Sequence, residues 1–174
     1  MRLPTIREEV EKDIPAIRAL TCAAFARARR PQGNEPEIVD ALRRDGDLAL
    51  SLVATNMDEA VIGHLAFSPV KISDGTQGWY AAGPIAVMPT RQRTGIGAHL
   101  ATQSIIWLTE MGAKGIVLLG DPGYYARFGF HPDPDLILPG VPPKFFQVRM
   151  LADGPRPKGT VAYAPAFGEM PAKL

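Results

Sequence analysis

Residues 83–112 read GPIAVMPTRQRTGIGAHLATQSIIWLTEMG, and the three parts of this stretch decide the fold. Ile85-Ala86-Val87 is an apolar run that reads as a buried strand. A tight polar link follows, Pro89 to Thr94, with glycines at Gly95 and Gly97. Beyond it, apolar residues at Ile96, Leu100, Trp107, Leu108 and Met111 keep close to helical spacing, and Gly112 stops the helix. Strand, glycine-bearing turn and helix start together form a place to hold an anion. The first helical turn leaves its N–H groups without intrahelical acceptors, and the helix dipole favours negative charge there. Glycine lets that backbone approach a bulky phosphate because no Cβ intervenes. Arg91 and Arg93 add positive charge beside it.

Two common phosphate patterns fail on residues. A Walker loop needs Lys and then Ser or Thr directly after its last glycine, where this chain has Ala98-His99. A dinucleotide fingerprint needs a glycine where Leu100 stands. What remains is Gln92-Arg93-Thr94-Gly95-Ile96-Gly97 behind an apolar strand that exits through Val87-Met88-Pro89. This pattern resembles the acyl-CoA-binding motif of the GNAT N-acetyltransferase superfamily. The resemblance implies acetyl-CoA as co-substrate, its pyrophosphate held on the backbone amides of the turn. It assigns cofactor binding to Ile85, Ala86, Val87, Gln92, Arg93, Thr94, Gly95, Ile96, Gly97 and Ala98. For so short a pattern, the alternative is a glycine-rich helix entry with no ligand.

At 174 residues the chain is expected to form one domain, large enough to bury about 70% of its unfolded surface. Hydrophobic content of 46% with 21% charged residues is ordinary for a globular protein. A net charge of +1 gives a nucleic-acid partner no electrostatic footprint, and the cluster Arg27 to Arg30 reads as a solvated helix end. With Cys22 alone no internal disulfide can form, and its apolar neighbours point to a buried, inert thiol. No apolar run approaches about eighteen residues, so no membrane partner and a cytoplasmic location are expected. The 17 prolines lie mostly at element ends and in the last third, as loop stiffeners.

Pro4 to Val10 reads as a first strand. Asp13 looks like an N-cap with Pro15 in the first turn of a helix carrying Ile14, Ile17, Leu20, Ala24 and Phe25. Arg29 to Asn34 is a loop, and a second helix runs from Pro36 to Asp45, closed by Gly46. Leu48 to Thr55 and Ala60 to Pro69 are strands joined by the turn Asn56 to Glu59. Lys71 to Thr76 is a polar turn, and the strand Gln77 to Val87 leads into the phosphate loop. Gly115 to Leu119 is a short buried strand, and late strands fall near Phe145 to Leu151 and Gly159 to Tyr163. Pro84 inside its strand removes a ladder hydrogen bond, which suggests a bulge or a local separation, or else a packing quirk at a strand end. The order is also that of the GNAT fold. The expected class is α/β: a mixed, largely antiparallel sheet of about seven strands with about four helices, splayed at the strand before the phosphate loop.

The second informative stretch is Gly120 to Phe130, GDPGYYARFGF. Asp121-Pro122 is an N-cap with proline at the first helical position, and Gly129 closes a short helix presenting Tyr124, Tyr125 and Phe128. The GNAT superfamily's second motif ends in Tyr-x-x-x-Gly-Phe, and Tyr125 with Gly129-Phe130 matches that spacing. The resemblance makes Tyr125 the catalytic general acid that protonates the departing CoA thiolate. A phenol near pKa 10 does this roughly 2 kcal/mol uphill against a thiol near 8.5. The plain alternative for all three rings is an aromatic cap on the core, preferred for Tyr124 and Phe128. The stretches GHLAFSPV and LGDPGYYARFGF also resemble a bacterial subfamily of the superfamily, over roughly Ile6 to Phe167.

Two departures matter. Leu118 stands where many members carry an asparagine, seven positions before Tyr125. Trp79 to Val87 holds no carboxylate, where several members place a glutamate base. A lysine-type amine must lose about 4–5 kcal/mol of proton affinity to attack at neutral pH, against about 1 for an α-amine. Glu35, His64, Asp121 or water are the candidates for removing that proton. Each residue also has a structural reading: first-turn residue, strand residue satisfied in the sheet, and helix cap. The resemblance implies an amine-bearing acceptor, small molecule or peptide, near Arg29 to Glu35 and Val141 to Phe146, and a homodimer is compatible with it. The three histidines form no ligand-spaced cluster, so no metal is expected.

Overall fold

The computed structural model describes residues 3–26 and 34–168; the cluster Arg27 to Arg30 and most of the expected loop after it lie outside the described residues. In chain order the elements are strand β1 (Thr5–Glu8), helices α1 (Ile14–Phe25) and α2 (Glu35–Asp45), and strands β2 (Leu50–Thr55), β3 (Val61–Pro69), β4 (Lys71–Ile72) and β5 (Trp79–Val87). Helix α3 (Ile96–Glu110), β6 (Gly115–Leu119), α4 (Pro122–Tyr125), β7 (His131–Pro132), β8 (Leu136–Ile137), β9 (Phe146–Met150) and β10 (Gly159–Ala162) complete the chain. Seven strands follow the hydrogen-bonding order β1-β2-β3-β5-β6-β9-β7, and β4-β10-β8 form a second, small sheet. Pairing is antiparallel for β1 with β2, β2 with β3, β6 with β9 and β7 with β9, and parallel for β5 with β6. The parallel pair needs a crossover, which α3 provides. No helix among the described residues is long and apolar enough to cross a membrane.

The chain divides into two compact units. One comprises the residues up to Phe67 together with Gly83–Ser104. Here β2 is buried along its whole length, as expected for a strand covered on both faces. Ile17 and Leu20 of α1 pack with Val39 of α2 and with Val53, Val61 and Ala86 of the strands. Arg43 of α2 holds the Glu9 carboxylate through two bonds of 2.8 and 2.9 Å. Glu9 also accepts from the Ser51 hydroxyl, whose oxygen stands 2.8 Å from His64 Nε2.

The other unit comprises Ser68–Ala82 and the residues from Ile105 onward. Its core gathers Trp79, Ala81, Val117, Phe146 and Val148 with residues of the small sheet such as Ile72 and Val161. Gly115 lies opposite Trp79 in the ladder, and a Cβ there would stand 2.6 Å from the indole Cε3. The large ring therefore lies across a strand position where only glycine fits. The β5–β6 ladder runs from Trp79↔Gly115 to Ala81↔Val117, two residues before the Gly83–Pro84 peptide, which is cis.

Several expectations need correction. Cys22 is exposed, not buried. The inward face of α1 carries Ile17, Leu20 and Thr21, and Cys22 falls about 140° away from Ile17 around the helix. Asp13 precedes α1 with helical backbone angles and no side-chain cap bond to it. Its carboxylate turns back instead to the Val10 N–H at 2.9 Å and to Arg7 at 2.6 and 3.0 Å. Met111 is 52% exposed, because the chain leaves α3 at Glu110 before Met111 can face inward. The polar turn from Lys71 holds a two-residue strand, and β10 joins the small sheet.

Candidate functional site

The expected phosphate loop begins where β5 ends. Ala86 is buried, while Ile85 and Val87 are half-buried. The chain then makes one 3₁₀ turn over Pro89–Arg91, with the Arg91 N–H bonded to the Met88 carbonyl at 2.7 Å. Arg93 takes a left-handed φ of 61° and Gly95 a φ of 90°. A side chain at Gly95 would meet nothing within 4 Å, so glycine is required there by backbone conformation rather than by space. The loop is held by its own side chains. Gln92 Nε2 donates to the Val87 carbonyl at 3.2 Å, and Thr94 Oγ1 donates to the Arg91 carbonyl at 2.5 Å.

Helix α3 then opens, and His99 N–H donates back to Gly95 O at 2.9 Å. The N–H groups of Ile96, Gly97 and Ala98 precede that bond and have no acceptor within the helix. Arg91, Arg93 and Thr94 around them are exposed. Ile96 itself is buried and seated over Gly63 of β3, where a Cβ would stand 2.9 Å from Ile96 Cγ2 and 3.1 Å from Leu100 Cδ1. Gln92, Arg93, Thr94, Gly95, Ile96, Gly97 and Ala98 thus form one continuous turn that runs into a helix start. Gly63 was not singled out in the sequence; its signal is a glycine inside a buried strand.

In the other unit, Asp121 caps α4. Its Oδ1 accepts the Tyr124 N–H at 3.1 Å, and Gly129 closes the following 3₁₀ turn at a φ of 78°. Tyr125 sits in an aromatic group, its ring centroid 5.0 Å from Tyr124, 6.1 Å from Phe130 and 6.4 Å from Phe128. Burial, with a smaller effect from Tyr124, pushes the Tyr125 phenol up to about 12. Protonating a thiolate from that phenol is then about 5 kcal/mol uphill rather than the roughly 2 expected from an ordinary tyrosine. Arg149 of β9 donates to the Phe128 carbonyl and braces this turn. Its only sequence signal is a basic residue next to the buried Val148.

The base candidates have structural engagements. His64 is fully buried on β3 and bonded to Ser51, and burial lowers its imidazole to about 4. Asp121 is occupied as the cap, and Glu35 is a buried residue in the first turn of α2. Of the expected acceptor region, residues 29–33 lie outside the described residues. Val141 and Phe146 are core residues, while Lys144 is exposed over the Phe145 ring at 4.9 Å. Among the described residues, no three His, Cys, Asp or Glu side chains stand together to hold a metal.

Residues 5–132 match the family model described as the acetyltransferase (GNAT) domain. The chain is 38% identical over 152 residues to the N-acetyltransferase YhbS of Escherichia coli (strain K12), covering 85% of this chain and 87% of that protein. Its structure is similar to that of a GNAT family acetyltransferase from Brucella melitensis in complex with acetyl-CoA. The TM-score is 0.82 at 44% identity, over 94% of this chain and 97% of that one. It is similar as well to YhbS from Escherichia coli in complex with CoA, at a TM-score of 0.86 and 35% identity over 97% and 94% of the two chains. The expected fold class, a mixed seven-stranded sheet with four α-helices among the described residues, is the fold of these relatives. This chain is a member of the GNAT acetyltransferase family.

Proposed function

We propose that the protein transfers the acetyl group of acetyl-CoA to a primary amine by direct attack, with Tyr125 as general acid. The observation that carries this reading is the first turn of α3. Three N–H groups without an acceptor in the helix follow a loop whose side chains bond back to it and whose backbone is left-handed at Arg93 and Gly95. Such a turn suits a pyrophosphate, and Arg91 and Arg93 suit its charge. The complexes of relatives with acetyl-CoA and CoA support the same ligand here.

In the proposed step the lone pair of a neutral amine forms a C–N bond at the thioester carbonyl carbon. Collapse of the tetrahedral intermediate breaks the C–S bond, and the sulfur takes the Tyr125 hydroxyl proton. Water carries away the surplus proton on nitrogen and returns one to the phenolate. With no carboxylate on β5, an amine of low pKa, already neutral near pH 7, is the favoured acceptor.

A competing reading, an acyl-CoA-binding protein without turnover, is favoured by one observation: the phenol at about 12 is a weak acid for a thiolate. Isothermal titration with acetyl-CoA, with ATP and NADH as controls, tests the ligand; no binding at millimolar acetyl-CoA overturns both readings. Thiol release over a panel of amines then separates them. For the enzyme, Tyr125→Phe lowers kcat about 100-fold while the acetyl-CoA Kd stays within about twofold. Absence of turnover with every amine, despite tight binding, would leave the binder.

A further inference from the structure

We propose that Gly120 is a positioning residue for the reaction, fixing where the Tyr125 hydroxyl stands. The inference rests on the reading of Tyr125 as general acid. A Cβ built at Gly120 would stand 2.6 Å from Tyr125 Cδ2, closer still to Cε2, and 3.2 Å from Cζ. No chain could hold both that methyl group and this ring in place. Gly120 does not occupy the left-handed region, in contrast to Gly129 nearby, so its backbone accepts alanine without strain. The requirement for glycine is therefore the ring alone.

The floor beneath the ring is itself fixed. Gly120 N–H donates to the Phe145 carbonyl at 2.9 Å, one residue past the end of β6. Lys144, next to Phe145, gives its carbonyl to Gln147 Nε2 at 2.6 Å, and Gln147 is fully buried. From the other side, Asp121 accepts the Tyr124 and Tyr125 N–H groups, each at 3.1 Å. Phe130 meets the ring edge-on with centroids 6.1 Å apart. Tyr125 is thus held from below by a missing side chain, from its backbone by a cap, and from one edge by a second ring. A phenol that must meet a departing sulfur gains its rate from such placement, since a displacement of about 1 Å costs on the order of 100-fold.

The test is a cycle of Gly120→Ala and Tyr125→Phe in the full chain. Gly120→Ala is expected to lower kcat about 10–100-fold with acetyl-CoA Kd within about twofold, and to cause no further loss on top of Tyr125→Phe. An unchanged kcat, or an equal loss in both backgrounds, overturns the proposal. The ring protons of Tyr125, observed by NMR with labelled tyrosine and assigned by their loss in Tyr125→Phe, give a readout independent of turnover. Gly120→Ala is expected to shift them, because the ring leaves the edge of Phe130. If Tyr125→Phe keeps full turnover, the acid role falls while shifted signals still establish the seat; unshifted signals sink the seat itself. Should Gly120→Ala fail to fold, restored folding in Gly120→Ala/Tyr125→Ala supports the contact, and continued misfolding refutes it.

Discussion

His64 shows how a titratable side chain can be absorbed by structure. Its Nε2 lies 2.8 Å from Ser51 Oγ, and Ser51 spends its single hydroxyl proton on Glu9. The imidazole must then donate from Nε2, which leaves Nδ1 as a buried acceptor without a partner among the described residues. Burial lowers this histidine to about 4; the nearby Glu9 opposes the shift and Arg43 adds to it. A folded-state value below the unfolded 6.5 means that the unfolded chain binds the proton first. The stability it contributes is complete above pH 6.5 and is lost as the pH falls towards 4, by roughly 3 kcal/mol. Glu9, held below its ordinary value by hydrogen bonds from Arg43 and Ser51 that outweigh its burial, loses stability in the same direction at lower pH. Urea unfolding from pH 7 to 4 is expected to show this slope, and His64→Gln to flatten it between 6.5 and 4. An equal slope in the variant would refute the assignment. At this scale the sequence was readable where a residue answers to its neighbours along the chain: Asp121-Pro122 as a cap, Gly129 as a closing residue. It was mute where the partner is distant in sequence. Glu9 and Arg43 are 34 positions apart, and nothing in the pattern joins them.

At the scale of elements, β5, the glycine-bearing loop after it and α3 fall where the apolar run, the glycines and the helical period put them. The two-residue strands β4, β7 and β8 are too short for alternation to register, and their existence depends on partners such as β10 and β9. The seat of α3 on β3 was equally hidden, because Gly63 in sequence is only a small residue between Ile62 and His64. A methyl group at Gly63 would push on Ile96 and Leu100, the first and fifth residues of α3, and so shift the turn proposed to hold the pyrophosphate. Gly63→Ala is expected to weaken acetyl-CoA binding about 3–10-fold, equivalent to roughly 1 kcal/mol, with kcat at saturating acetyl-CoA nearly kept. Calorimetry and initial rates check both halves. Unchanged affinity would show that the helix start absorbs the methyl without moving.

At the scale of the whole molecule, length and composition suggested one domain, and compactness divides the chain into two units that share no simple sequence boundary. The division could not be read along the chain, since β3 and β5 each contribute residues to both. We propose that the units nevertheless unfold as one cooperative domain. The placement of the two tryptophans makes this directly observable. Trp79 and Trp107 both belong to the unit containing Ser68–Ala82 and Ile105 onward, and the other unit has none. Trp79 is 1% exposed across Gly115, whereas Trp107 is half-buried on α3. Intrinsic fluorescence is therefore a private signal of one unit, blue-shifted by Trp79, while far-ultraviolet circular dichroism sums the helices of both. Coincident melting curves by the two probes are expected of a single cooperative domain. An emission shift that precedes or trails the loss of ellipticity would mean that this protein melts in halves, and that the light it emits reports on only one of them.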